Sequence, residues 1–379
     1  MQYPIYLDYN ATTPCDPKVV ENMLPYFNEH FGNATSKSHA YGWYAEEAVE
    51  SAREEIAKLL RAYANEIIFT SGATESCNLA IKGYAEKNKH KGNHIITALT
   101  EHKAVLDACE HLANHGYDIT YLTVDSDGQI CLDELEKSIT AKTIMIALMH
   151  ANNETGVIHP VNGIASIASK HNICFFCDAT QTFGKTHIDL QNDKIDMLAF
   201  SGHKIYGPKG IGGLYIRNKH PRLELNAISH GGGHERALRS GTLNVPGIVG
   251  LGTAAHLANI NLMEDLIKFQ ALNEKFSQGL ESFSSSKING LGANRMMNVL
   301  NVSFNIEGGE NLLKKISKHI AVSSGSACAS SIVEPSHVLT AMGLDRKRAL
   351  SSIRFSFGRP TTESDIDLVV EHIHRILHN

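Results

Sequence analysis

The sequence predicts an α/β fold, with a large, mostly parallel sheet wrapped by helices and a smaller α+β domain after it. Three observations carry this expectation. From residue 45 to about 216, segments of helical period alternate with short apolar strands. The run TIMIALMHA at 143–151 is apolar throughout, as a strand covered on both faces would be. From about Pro246 the texture changes to one long helical stretch and then to mixed strands and helices.

In chain order, 45–60 reads as an amphipathic helix and 66–70 (EIIFT) as a strand. A helix is expected over 73–87, a strand over 94–99, a helix over 102–115, and a strand over 117–124 closed by the turn Asp125-Ser126-Asp127-Gly128. After the strand at 143–151 and a helix at 161–171 come strands at 173–178 (ICFFCD), 197–201 (MLAFS) and 213–217. The long helical stretch reaches about residue 285. It is followed by strands at 299–304 and 353–357 and helices near 309–319 and 362–376.

The composition, 379 residues with 42% hydrophobic and 20% charged, excludes disorder, collagen-like repeats and a pure coiled coil. With Lys+Arg 35 against Asp+Glu 40, the net charge of −5 points to neither nucleic acid nor an anionic membrane as partner. No run approaches the roughly 18 apolar residues of a membrane helix. The opening MQYPIYLDYN lacks the basic segment and apolar core of a signal peptide. Seven cysteines, an odd and scattered set, read as reduced thiols, which predicts a cytoplasmic protein.

In open α/β sheets ligands sit beyond the carboxyl ends of the strands, and five polar groups stand there. Ser71-Gly72-Ala73-Thr74 would let backbone N–H groups approach an anion at a helix start, or simply cap the helix. Asp178 ends an apolar strand, where a carboxylate needs a cationic partner: a pyridinium nitrogen, a structural arginine or a helix cap. Lys204, in Ser201-Gly202-His203-Lys204, has the setting of a Schiff-base nucleophile, although most lysines are surface charges. His102 can stack on a flat ring or shuttle a proton, and the amide of Asn153 can bond a phenolate-like oxygen or merely shape a turn. Together these groups are what pyridoxal phosphate requires: a lysine, an acid for the ring nitrogen and a phosphate cradle.

Two cysteine features stand apart. The segment 323–331 (SSGSACASS) reads as a mobile loop carrying a reactive Cys328. Cys174 and Cys177 have CxxC spacing, but positions i and i+3 of a strand face opposite sides, so core packing is expected. The 21 histidines are dispersed and show no zinc spacing, which disfavours a metal carrier or cluster scaffold.

The ordered motifs TSGATESCNLAIKG (70–83), TEHKAVL (100–106), NNETGV (152–157), DATQTFGK (178–185), SGHKIYGPKGIGGLYI (201–216), SSGSACAS (323–330) and SSIRFSFGR (351–359) run nearly end to end. On them the chain resembles the pyridoxal-phosphate cysteine desulfurases of iron–sulfur cluster assembly, in the class V aminotransferase superfamily. The resemblance implies an aspartate aminotransferase-like, fold type I structure. It places a large cofactor domain at 16–255 and a small domain at 1–15 and 256–379, which carries the catalytic cysteine loop at about 321–335. It implies that Lys204 carries the cofactor, Asp178 pairs with its ring nitrogen, and His102 stacks on the ring and serves as a proton-transfer candidate. Asn153 and Gln181 would bond near the phenolic oxygen, and Ala73, Thr74, Ser201 and His203 would hold the phosphate. Thr242 would reach the phosphate of a neighbouring subunit, which implies a homodimer with shared sites. Arg354, with Asn153 beside it, would bind the carboxylate of L-cysteine, and Cys328 would take its sulfur as a persulfide, destined for an iron–sulfur scaffold protein. Selenocysteine lyase, or another class V lyase or aminotransferase, is the alternative activity. The chain ends at Asn379, where some relatives continue into a scaffold-docking tail, so docking by a tail is not carried over.

Overall fold

The computed structural model describes residues 4–306, 311–324 and 334–378, so Cys328 and most of its predicted loop lie outside the described residues. Seven strands form the main sheet: β1 (Ile67–Thr70), β2 (His94–Ala98), β3 (Asp118–Leu122), β4 (Thr143–Met149), β5 (Cys174–Asp178), β6 (Met197–Ser201) and β7 (Gly212–Ile216). Their spatial order is β1-β7-β6-β5-β4-β2-β3. β7 runs antiparallel to β1 and β6, and the other neighbours are parallel.

Each predicted strand is present, shifted by a residue or two, because apolar runs of this length must be covered on both faces. Alternation splits them between two cores. In β5, Phe175 and Cys177 join the core beneath helices Ala40–Leu60, Val161–Lys170 and Val245–Glu281. Cys174 and Phe176 join the opposite core, beneath the helical residues 73–87 and helix Lys103–Ala113. The two cysteines are therefore free and on opposite faces. At the sheet edge, β3 leaves Asp118 and Tyr121 exposed, a polar edge that discourages pairing with another chain.

The helix expected over 73–87 is interrupted. Ala73–Asn78 passes into a π-helical turn at Leu79–Gly83 before Tyr84–Lys87. The turn brings Gly83 against Asn226, whose N–H donates to the Gly83 carbonyl at 2.9 Å. A Cβ on Gly83 would stand 2.4 Å from the Asn226 carbonyl oxygen, so only glycine fits. Among the described residues the sequence reading leaves out five α-helices, Pro17–Met23, Pro25–Asn28, Leu132–Lys137, His337–Ala341 and Arg346–Leu350. The first carries a legible signal, since Asp16 caps it by accepting from the Lys18 N–H and Pro17 opens it.

A second, antiparallel sheet follows: β8 (Ser286–Ile288), β9 (Val299–Phe304) and β10 (Ser352–Ser356), in the order β10-β9-β8. One face packs Leu300, Val302, Phe304, Ile353 and Phe355 into a third core with Phe276 and Ile373, beneath helices Val245–Glu281 and Glu363–His378. The other face is polar yet buried, with Asn301 opposite Arg354 and Ser303 opposite Ser352. That face delivers Arg354 to the main sheet. The helix expected near 309–319 is Leu312–Ile316, and residues 309 and 310 lie outside the described set. The short strand Ile5–Tyr6 returns to pair with Ile320–Ala321. Among the described residues no helix is long and apolar enough to cross a membrane.

Candidate active site

The carboxyl ends of β1, β2, β4, β5 and β6 open on one cavity of about 670 Å³. It is lined by Ala73, Thr74, His102, Asn153, Asp178, Gln181, Ser201, His203, Lys204 and Arg354, ten predicted residues drawn from distant parts of the chain.

Lys204 closes the turn after β6. Its Nζ donates to the Asn10 carbonyl and, at 2.8 Å, to the Ala11 carbonyl. Burial and the positive charge of Arg354 push this amine down to about 8, despite Asp8 and Asp178. A lysine so placed is neutral in an appreciable fraction at physiological pH, as a nucleophilic amine must be.

Asp178 ends β5 and is buried. Its Oδ1 accepts from the Thr180 N–H at 2.9 Å and from the Thr180 hydroxyl, which leaves Oδ2 for a cationic group in the cavity. Gln181 donates through Nε2 to the Asn10 carbonyl at 3.1 Å, and its buried Oε1 has no hydrogen-bond partner among the described residues. That oxygen can accept a hydrogen bond from a group bound in the cavity.

The start of the helical run at Ala73 supplies the anion cradle. Gly72 adopts φ +152°, a conformation that disfavours side chains, and a Cβ there would project to 3.9 Å from Ser201 Oγ, inside the cradle. The free N–H groups of the first helical turn favour negative charge. His203 shares a hydrogen bond between Nδ1 and Thr12 Oγ1 at 3.1 Å, and burial with Lys204 and Lys209 pushes it down to about 4. It therefore acts as a neutral hydrogen-bonding group rather than a cation.

His102 caps helix Lys103–Ala113. Its Nδ1 accepts the Ala104 N–H at 3.1 Å, which fixes the neutral ring's proton on Nε2. Its surroundings desolvate the ring and, with Lys204 opposing Asp178, hold its pKa below the usual imidazole range. Beneath it Glu101 is fully buried, accepts the Met149 N–H at 2.8 Å, and is pushed well up by desolvation.

Arg354 is buried on β10 and reaches the cavity rim. It donates to Asp8 Oδ1 at 2.7 Å and to the Asn153 carbonyl at 3.1 Å, while its Nε makes no hydrogen bond among the described residues. The guanidinium is thus oriented and keeps donors in reserve for an incoming carboxylate.

Of the remaining predicted residues, Thr242 is exposed and outside the cavity of its own chain, and Cys328 is outside the described residues. Sequence reasoning misses Asp8, Asn10 and Thr12, which bond Arg354, Lys204, Gln181 and His203. Their signal is the polar cluster in YLDYNATT, within a stretch otherwise strand-like. The residues present fit pyridoxal phosphate: an amine, a carboxylate, a flat ring, an amide oxygen without a partner among the described residues and an anion cradle line one cavity.

Lys185, on the DATQTFGK segment, is buried and its Nζ makes no hydrogen bond among the described residues. Burial, with the charges of Lys204 and Arg354, pushes it down to about 7. An unfolded lysine titrates near 10.4, so the folded state is penalised by about 5 kcal/mol below the lower value, and the penalty fades as pH rises to the upper one. Lys185→Met is therefore expected to stabilise the cofactor-free protein by several kcal/mol at pH 6.5, with the gain shrinking to about 1 kcal/mol at pH 9.5. Urea unfolding at the two pH values checks this, and equal or lower stability of the variant at pH 6.5 would contradict it.

Residues 5–369 match the class-V aminotransferase family, and the chain belongs to it. Within that family it groups with the cysteine desulfurases. It is 51% identical over 381 residues to the cysteine desulfurase IscS of Anaeromyxobacter sp. (strain Fw109-5), covering 99% of this chain and 94% of that one. Identity to the cysteine desulfurase IscS of Shewanella loihica is also 51%, over 375 residues, with coverage of 98% and 92%. Among solved structures, a NifS-like protein at 39% identity matches with a TM-score of 0.90 over 99% of both chains. The NifS-like protein from Rickettsia africae ESF-5, at 30% identity, gives 0.87 over 100% of both. SspA in complex with cysteine, at 39%, gives 0.84 over 93% of this chain and 98% of that one.

Proposed function

We propose that this chain removes the sulfur of L-cysteine, releasing L-alanine and holding the sulfur as a persulfide on Cys328, with pyridoxal 5'-phosphate in the cavity. The observation that carries the reading is the convergence of Lys204, Asp178, His102 and the Ala73 helix start on one cavity with Arg354 at its rim. When bound, the cofactor supplies an electron sink that lets the substrate's Cα proton leave.

The chain's own residues do the rest. Lys204 would hold the cofactor through Nζ and would serve as the base beside the substrate's Cα. Asp178 Oδ2 would keep the ring nitrogen protonated, and the Gly72–Thr74 backbone with Ser201 and His203 would hold the phosphate. Arg354 fixes the substrate carboxylate, with Asn153 beside it. The Cys328 thiolate attacks the substrate sulfur. An S–S bond forms, the Cβ–S bond breaks, and its electron pair stays on the carbon side, to be protonated on the way to alanine. His102, with its proton on Nε2, is the proton-transfer group near that sulfur.

The reading extends to the assembly. Phe27, Phe31, Tyr41, Trp43 and Tyr44 are all more than half exposed, and Phe31 and Tyr41 pack ring to ring at 5.3 Å. So large an aromatic patch supports a second copy of the chain as its cover, with Thr242 completing the partner's phosphate site. Residues 16–255 form the cofactor-binding unit, and 1–15 with 256–379 form the second; the Ile5–Tyr6 pairing with Ile320–Ala321 supports this division. The persulfide passes to an iron–sulfur scaffold protein in the cytoplasm, where thiols stay reduced. Incubation with L-cysteine and a reducing acceptor tests the reaction: alanine and sulfide are expected one for one, and sulfide without alanine would contradict it.

A further inference from the structure

Ile205 and Tyr206, which follow Lys204 directly, line a second, small cavity of about 10 Å³. That is about the room one water molecule occupies. Two polar groups of its wall residues have no hydrogen-bond partner among the described residues, Lys185 Nζ and Asn298 Oδ1. Lys185 is 9% exposed and Asn298 3%, so bulk solvent does not serve them. A third group, the Tyr206 hydroxyl, accepts the Arg359 N–H at 2.6 Å and keeps its own proton to donate. The charged pair on the same wall is satisfied internally, with Arg359 Nε donating to Asp265 Oδ2 at 2.7 Å.

Packing does not account for Lys185, since methionine is expected to be the more stable residue at this position. What lies across the small cavity does. Asn298 donates through Nδ2 to Asn10 Oδ1 at 3.1 Å. Asn10 in turn offers its carbonyl to both Lys204 Nζ and Gln181 Nε2, and its own Nδ2 donates to the Asn153 carbonyl at 3.2 Å. With Nδ2 of Asn298 committed to Asn10, its buried Oδ1 needs a donor of its own. One water supplies it by donating to Asn298 Oδ1 while accepting from Lys185 Nζ, with the Tyr206 hydroxyl as a further donor to that water.

We propose that the small cavity binds one water molecule between Lys185 and Asn298, and that Lys185 is thereby a positioning residue for Lys204, acting through Asn298 and Asn10. The inference rests on reading the main cavity as a pyridoxal-phosphate site. It concerns how the Lys204 amine is aimed. Lys185 itself does not line the main cavity and touches neither cofactor nor substrate.

The test follows loading of the cofactor-free, full-length protein with pyridoxal phosphate by stopped-flow absorption. At about pH 9 both Lys185 and Lys204 are mostly neutral, so hydrogen bonding is read without the Lys185 charge. Lys185→Met and Asn298→Ala are each expected to slow loading about fivefold, the scale of one hydrogen bond. The double variant is expected to be no slower than the slower single one. Lys185→Gln keeps an N–H donor and is expected within about twofold of the parent. A crystal structure of the cofactor-free parent is expected to show one ordered water within hydrogen-bond distance of Lys185 Nζ and Asn298 Oδ1. Loading of Lys185→Met at the parental rate would overturn the proposal, as would a glutamine variant as slow as the methionine one or a cavity without that water. Slower loading of Lys185→Met together with lower stability in urea would make the lysine a support of the fold and overturn it too. A parent protein that takes up no pyridoxal phosphate would instead overturn the reading of the main cavity, and this inference with it.

Discussion

Lys204→Ala is expected to lose the covalently held cofactor and to lower alanine formation on the order of 10³-fold or more, the scale of removing a covalent catalyst. The side chain sits between the Asn10 and Ala11 carbonyls with its amine pushed down to about 8, so its contribution is a neutral nitrogen. Lys204→Arg, which keeps the charge and lacks that amine, should lose as much. The sign of the pH dependence follows. In the cofactor-free parent, the rate of loading with pyridoxal phosphate should rise with pH as the amine deprotonates, with its half-maximum near 8. Stopped-flow absorption at several pH values measures it. A rate independent of pH between 6.5 and 9 would contradict the assignment, as would an arginine variant with near-parental turnover.

The second large effect belongs to Cys328. Cys328→Ala should abolish the protein-bound persulfide and reduce sulfide release on the order of 10²-fold or more, with the cofactor's absorption unchanged. The structure sharpens this expectation, because no described cysteine can take its place. Cys77, Cys109, Cys174 and Cys177 are buried, and desolvation pushes each thiol up, away from the reactive thiolate. Cys15 is half-buried and also raised, and Cys131, although exposed, does not line the cavity. Cys131→Ala is thus the matched control, expected to turn over at the parental rate. A persulfide on any cysteine of the Cys328→Ala variant, at the parental yield, would contradict the account.

Much of this site is legible in the sequence, because a β/α repeat announces its own strand ends. ICFFCD places Asp178, MLAFS places Lys204, and EIIFT places the cradle at Gly72–Thr74, each by the rule that ligands gather beyond carboxyl ends. What is not legible comes from long sequence separation and from the backbone. Lys204 is held by the carbonyls of residues 10 and 11, and carbonyl acceptors leave no mark on residue type. Asp8 pairs with Arg354 across 346 positions, and Glu154 meets Ser336 across 182. No periodicity connects such residues; only the closing of the second sheet against the first does. The π turn at Leu79–Gly83 is hidden for a similar reason, since Asn226, whose N–H donates to the Gly83 carbonyl, stands far along the chain.

The most direct test of the central claim is the absorption spectrum of the purified protein, before and after adding L-cysteine. The account predicts a near-ultraviolet-to-blue band that shifts on adding L-cysteine and is absent from Lys204→Ala. A colourless protein that also fails to take up added pyridoxal phosphate would contradict it.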